Sequence, residues 1–265
     1  MEILSYLLAA LIGTSLGLIG AGGSILTVPV LVYLVGVDPV LATAYSLFVV
    51  GSTALVGGFQ NFRKGLVDLR SVLVFGAPAI AAVYATRAFV LPSVPENLFS
   101  AAGFKISKGT ALLLLFAVLM VATSFSMLRE RKPSELDRIE GRHKVPLILA
   151  EGVGVGVVTG LVGAGGGFLI IPALVLLAGL EMKLAIGTSL LIIAAKSLIG
   201  FVGDIQSGTG IDWEFLLTFT AFSIAGIFVG TRLTRKIDGQ KLKKGFGWFV
   251  LVMGIYMIVR EILSL

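Results

Sequence analysis

A run of glycines inside an apolar segment is the feature that most constrains how this chain can fold. The stretch GLVGAGGGFLIIPALVLL, residues 160–177, has five glycines in its first eight positions and a proline five residues after the last of them. The stretch GLIGAGGSILTVPVLVYL, residues 17–34, has nearly the same pattern. Because each glycine costs a helix roughly 1 kcal/mol, the GAGG core of each stretch predicts a helix break.

The composition places the chain in a membrane. Of the 265 residues, 57% are hydrophobic and 14% are charged, which is outside the range typical of soluble domains. Apolar runs recur at roughly the 20 residues that a helix needs to cross about 30 Å of hydrocarbon. A membrane β-barrel would alternate apolar and polar residues, so we predict an all-α polytopic membrane protein. The runs lie near 41–59, 70–91, 109–128, 184–203, 212–233 and 245–263, with two longer ones, 3–36 and 146–180, that contain the glycine motifs.

The chain is also an internal repeat. An offset of 143 residues aligns Gly17 with Gly160 and Pro29 with Pro172, and it continues into the next apolar run. Two homologous halves are typical of secondary transporters. We therefore divide the chain into a first transmembrane repeat, a charged linker and a second transmembrane repeat, at residues 1–128, 129–144 and 145–265.

The basic residues predict how the two halves are oriented. If each glycine run crosses the membrane once, ten Lys and Arg fall on each side; if each run enters and returns, 16 fall on one side and four on the other. The positive-inside rule favours the second arrangement. The halves are then inverted, with both termini outside and the linker cytoplasmic. Each half has three spanning helices and a broken element, re-entrant or of two short helices, about eight to ten transmembrane segments in total. The four residues on the sparse side are Arg87, Lys105, Lys108 and Arg260, and Lys196 lies within a helix.

The two breaks predict a site for an anion. Broken backbone at membrane depth must be buried in protein or line a wet cavity. The segments after the breaks, about 24–36 and 167–179, are too short to span and form half-helices that begin near Ser24 and Gly167. Each amino end offers free N–H groups and about half a positive charge, which favours a small anionic substrate. The predicted binding residues at the breaks are Gly20, Ala21, Gly22, Gly23, Ser24, Gly163, Gly165, Gly166 and Gly167.

The third segment of each half adds polar groups to this site. Helical spacing places Ser46 and Thr53 on one face, and Ser189 and Lys196 on the corresponding face of the second half; Thr188 joins the expected binding residues. A lysine within an apolar helix is costly unless it faces water, a partner or a ligand. Lys196 is therefore expected to attract the anion, and its proton is a candidate for coupling to transport. The alternative is that Lys196 reaches outward or pairs with Asp204.

The other basic residues and the single histidine have simpler interpretations. Arg87 and Arg232, near corresponding helix ends, are interpreted as topology anchors. The chain has no cysteine, and its single histidine, His143, lies in the charged linker, so we expect no cofactor and no metal site. The basic residues lie beside apolar segments, which favours the lipid bilayer over nucleic acid as a partner. Homo-oligomerisation stays open.

The paired motifs resemble a known family. GLIGAGGSILTVPVL with ATAYSLFVVGST, and TGLVGAGGGFLIIPALVLL with AIGTSLLIIAAKSLIGFVGD, are similar to the TauE/SafE sulfite exporter family. The resemblance covers essentially the whole chain. It implies a secondary transporter, an exporter of sulfite or organosulfonates, in the plasma membrane of a prokaryote.

Together these observations predict alternating access around an anion site at the midplane. Alternative functions are a permease for another anion or for a cation or metal, a membrane scaffold, and a membrane-embedded enzyme that uses Ser189 with Lys196. The scarcity of buried carboxylates, histidine and cysteine argues against a metal permease.

Overall fold

The computed structural model describes residues 2–19, 24–101, 104–128, 144–176, 178–208, 210–233 and 239–263. Within these ranges the chain forms ten helices and one β-hairpin. The first half contains α1 (Glu2–Ile19), α2 (Ser24–Val35), α3 (Pro39–Arg63), α4 (Leu69–Ser93), β1 (Asn97–Ala101), β2 (Phe104–Ser107) and α5 (Lys108–Leu128). The second half contains α6 (Lys144–Val162), α7 (Gly167–Leu176), α8 (Met182–Gln206), α9 (Trp213–Leu233) and α10 (Gly239–Leu263).

The helices match the predicted apolar runs, and the prediction of a polytopic all-α membrane fold is confirmed. In the described part of the chain, five helices are long and apolar enough to cross a membrane, namely α3, α4, α5, α8 and α9. Shorter apolar helices lie in α1, α2 and α6. At 1.5 Å per residue, α2 and α7 are too short to cross about 30 Å of hydrocarbon.

The β-hairpin between α4 and α5 was not predicted. Its strands pair antiparallel, with Phe99 opposite Ile106, and Lys108 N–H donates to the Glu96 carbonyl at 2.9 Å where the hairpin ends. The segment is short and lies between two long apolar runs. Strands of four and five residues are too short to give a clear alternating pattern in the sequence.

The turns that follow α2 and α7 have the same backbone geometry. Gly36 and Gly179, which the offset of 143 aligns, are both left-handed, with φ of 84° and 68°. Val37 N–H donates to the Leu31 carbonyl at 2.9 Å, and in the second half Leu180 N–H donates to Leu174 at 3.1 Å. These matching turns support the repeat.

The helices pack in pairs that exchange partners between the halves. Helix α1 packs against α9, α6 packs against α4, and α3 and α8, both largely buried, pack against each other. Small residues allow close approach, since a Cβ on Gly17 would lie 2.6 Å from the Ile227 carbonyl oxygen, and one on Gly156 would lie 2.6 Å from that of Ala79. The exchange is the pattern that two related repeats would give. The proposed domain boundaries stay a prediction.

Candidate functional site

The glycine motif of the second half breaks the backbone between α6 and α7. Gly163, Gly165 and Gly166 have φ of 73°, 63° and 65°, a region in which side chains with a Cβ are strained. Gly163 N–H donates to the Thr159 carbonyl at 2.8 Å, and Gly166 N–H to that of Ala164 at 2.7 Å. The whole turn is buried. The predicted break is therefore present, and protein covers it.

The start of α2 lies against this break. Ser24 is fully buried, and a Cβ placed on Gly165 would lie 3.2 Å from the Cβ of Ser24. The start of α2 is thus a neighbour of the turn that precedes α7. The other residues predicted from the first motif, Gly20, Ala21, Gly22 and Gly23, lie outside the described residues.

Lys196 brings a positive charge to the same place. Its side chain is fully buried, and its Nζ donates to the Thr159 hydroxyl at 2.7 Å. A Cβ on Gly166 would lie 2.9 Å from Nζ, so the ammonium contacts the broken backbone directly. Within the described ranges, no carboxylate oxygen lies within 4.0 Å of this ammonium.

Helix α3 forms the wall opposite α8. The Val50 side chain contacts the position of Gly165. Ser46 and Thr53 lie one helical turn before and after Val50 and share its face. The buried Ser46 hydroxyl has no hydrogen-bond partner among the described residues, whereas Thr53 donates to the Ser223 hydroxyl at 3.0 Å.

Two predicted residues lie farther from the break. Thr188 accepts the Asp68 N–H at 2.9 Å, and Ser189 donates to the Ile186 carbonyl at 2.8 Å. Both precede Lys196 by about two helical turns, which is roughly 10–12 Å. The enzyme alternative would pair Ser189 with Lys196. In the structure, Ser189 instead donates to Ile186 and Lys196 donates to Thr159. The structure groups Ser24, Gly165, Gly166 and Lys196 at the break, and it gives Thr188 and Ser189 separate contacts.

The interpretation of Arg87 as an interfacial anchor is wrong. Its side chain is fully buried, and Nη1 lies 3.1 Å from Asp204 Oδ1 and 3.0 Å from the Thr43 hydroxyl. Asp204 consequently pairs with Arg87, not with Lys196. Helices α4 and α8 approach closely at this pair because Gly203 has no side chain; a Cβ there would lie 2.9 Å from the Cβ of Arg87. Two charges within apolar segments were the available signal for this pair.

Sequence reasoning also missed Thr159, the partner of Lys196. It lies one turn before Gly163, in the motif TGLVGAGGG, and its hydroxyl also lies 3.3 Å from the Gly156 carbonyl. A threonine within an apolar helix commonly bonds its own backbone. Nothing in its spacing pointed to a lysine on α8.

An open basic pocket of about 300 Å³ lies at the far ends of α3 and α9, lined by Gln60, Lys64, Phe228, Thr231 and Arg232. Gln60 follows Thr53 by seven residues and shares its helix face. The polar face of α3 therefore leads from the break toward this pocket.

Comparison with known proteins gives consistent matches. The family model described as sulfite exporter TauE/SafE matches residues 5–257. A probable membrane transporter protein of Xylella fastidiosa (strain 9a5c) is 34% identical over an alignment of 263 positions, which covers 96% of this chain and 94% of the relative. The probable membrane transporter protein YunE of Bacillus subtilis (strain 168) is 25% identical over an alignment of 285 positions, which covers 99% of each protein. No solved structure matches the chain significantly.

Proposed function

Because the chain belongs to the TauE/SafE sulfite exporter family and is a multi-pass membrane transporter, we propose that it carries a small sulfur-containing oxyanion such as sulfite or an organosulfonate. The proposed direction is export across the plasma membrane of a prokaryote. The anion is bound where the starts of α2 and α7 meet Lys196.

The observation that carries this proposal is the buried ammonium of Lys196 at the helix break. A buried charge without a counter-charge is strongly unfavourable, and its hydrogen bond to Thr159 is with a neutral hydroxyl. An anion beside Gly166 would supply the missing negative charge. It would also meet the positive amino end of α7, because the first N–H groups of a helix have no partner within it.

The neighbouring residues have distinct proposed roles. Thr159 holds the Lys196 ammonium against the break, and the missing side chains at Gly165 and Gly166 let an oxyanion approach the backbone. The Ser46 hydroxyl, which has no hydrogen-bond partner among the described residues, offers a further hydrogen bond to the anion, and Ser24 lines the site beside Gly165. Release of the Lys196 proton from the empty carrier would couple transport to protons.

The basic pocket at Lys64 and Arg232 is the proposed cytoplasmic entrance. Positive charge at the mouth of a pathway raises the local concentration of anions. In the alternating-access cycle that we propose, the anion moves from this pocket along the polar face of α3 to the break. The inverted repeats then rock to open the opposite side.

Ligand-dependent thermal stability tests this function. The purified protein is heated in detergent with sulfite, sulfate, thiosulfate, a simple sulfonate or chloride, and Lys196→Met is measured in parallel. A ligand that binds only the folded protein stabilises it by about 2.7 kcal/mol at a hundred times its Kd. We expect sulfite or a sulfonate to raise the Tm of the wild type and not of the variant. Stabilisation by none of the sulfur anions would contradict the proposed substrate class.

A further inference from the structure

A second buried cation lies beyond the break and is not used by the site described above. Arg87 on α4 is fully buried, and among the described residues Nη1 is the one guanidinium nitrogen with hydrogen-bond partners, namely Asp204 and Thr43. Its Nε and Nη2 are buried and have no hydrogen-bond partner in the part of the chain that the structure describes. Oδ2 of Asp204 is likewise buried and unpaired.

The unpaired atoms are those that recognise oxyanions best. The N–H groups of Nε and Nη2 point in the same direction and form a planar fork that matches two oxygens of a carboxylate, phosphate or sulfonate. An arginine that serves only to join two helices would be expected to use this fork on its carboxylate. Asp204 instead contacts the guanidinium from the other edge, through Nη1, and leaves the fork unused.

Arg87 is also placed along the proposed path. Thr43, which accepts from Nη1, packs on the break, since a Cβ on Gly163 would lie 2.6 Å from the Thr43 Cβ. Asp204 follows Lys196 by eight residues on α8, which is about 12 Å along the helix. The fork therefore lies beyond the Lys196 site, on the Gly163 side of the break.

The repeat relates Arg87 to the open basic pocket. The motifs FGAPAIAAVYATR and FTAFSIAGIFVGTR align Arg87 with Arg232, and the offset of 143 aligns Asp204 with Asn61. Arg232 is exposed in the pocket, while Asn61 donates to the Gly57 carbonyl at 2.8 Å. Aligned arginines are thus buried in one half and open in the other, as expected if one side of a carrier is closed.

We propose that the Nε–Nη2 fork of Arg87 is a second oxyanion-binding site, which the anion occupies when it passes between the Lys196 site and the side that is closed in this structure. This inference rests on the proposed function. Asp204 and Thr43 hold the guanidinium through Nη1 and keep the fork free. The charge of Asp204 weakens anion binding there, which suits a site that must release its ligand.

Replacement of the fork by a single ammonium tests the proposal. Arg87→Lys keeps the positive charge beside Asp204 but loses the two parallel donors. We expect the KM for radiolabelled sulfite uptake into proteoliposomes to rise about ten- to hundredfold. The Tm without ligand and the sulfite-induced rise in Tm, which reports the Lys196 site, should stay near wild type. The matched control is Arg70→Lys, an exposed arginine on the same helix, which should leave KM unchanged.

A double variant separates binding from a purely structural role. Arg87→Met with Asp204→Leu replaces the ion pair by apolar side chains, a change that is often neutral or stabilising. If the pair only joins α4 to α8, this variant transports sulfite like the wild type, and the proposal is overturned. A folded double variant with a similarly raised KM supports it. If Arg87→Lys has the KM of the wild type while Lys196→Met has lost transport, only the second site is refuted. If Lys196→Met still transports sulfite, the proposed function itself is refuted.

Discussion

Replacement of Lys196 by methionine should make the protein more stable and abolish transport. The two side chains have similar length, so Lys196→Met fills the same space without a large cavity. A lysine at the centre of a membrane helix costs about 2.5–3.5 kcal/mol. The substitution removes that cost, together with the charge-assisted hydrogen bond to Thr159, worth about 1.5–3 kcal/mol. Thr159 keeps its contact with the Gly156 carbonyl. The net change is a gain of about 1 kcal/mol.

Thermal unfolding and transport measured on the same preparation test this prediction. A gain of about 1 kcal/mol corresponds to a rise in Tm of roughly 2–4 °C for a chain of this size. Sulfite uptake should fall to the level of empty liposomes. The matched control is Lys183→Met, since Lys183 is exposed near the start of the same helix and should change neither quantity. Wild-type uptake by Lys196→Met would refute the reasoning, and a loss of several kcal/mol would show that the ammonium already has a compensating partner.

Two further predictions concern the break and a helix cap. Gly166→Ala introduces a Cβ at φ of 65° that would collide with the Thr159 methyl group and crowd the Lys196 ammonium. Transport should be lost, and the free energy of unfolding should fall by about 1–3 kcal/mol. The control is Gly154→Ala, which has open space around it and should be neutral or stabilising in the same unfolding assay. Asp68 caps α4, and hydrogen bonds from Ser71 hold its pKa below the usual value. Asp68→Ala should therefore lower stability by about 1 kcal/mol at pH 7. The pKa of Asp68 is lower in the folded protein than in the unfolded chain. The stability difference between the wild type and Asp68→Ala should therefore persist above the unfolded pKa of about 3.9 and shrink as the pH falls through the folded pKa. A difference in Tm that stays constant across that pH range would contradict this prediction.

The sequence predicted features that depend on local pattern. Membrane helices follow from apolar runs of sufficient length, and the break at Gly163 follows from consecutive glycines, because both effects act within one segment. Lys196 was identified because a charge in an apolar helix is conspicuous. In the structure its ammonium contacts the position of Gly166 at the break. The role of that contact in anion binding stays a proposal.

The features that sequence reasoning missed depend on contacts between distant segments. The pairing of Arg87 with Asp204 joins residues 117 positions apart, and the Lys196–Thr159 hydrogen bond joins different helices. Arg87 also lies in a π-helical turn, Thr86–Val90. Such a turn shifts the faces of a helix relative to regular spacing. Regular helical spacing therefore could not show which way Arg87 points.

The exchange of helix partners between the halves affects how the protein is made. The Thr14 hydroxyl on α1 lies 3.2 Å from the Gly226 carbonyl on α9, a contact between residues 212 positions apart. At a synthesis rate of about 5–20 residues per second, α1 exists for roughly 10–40 s before α9 emerges from the ribosome. During that interval the face of α1 that carries Gly13 and Gly17 lacks α9, against which it packs in the folded protein. Final packing of the first helix must therefore follow synthesis of nearly the whole chain.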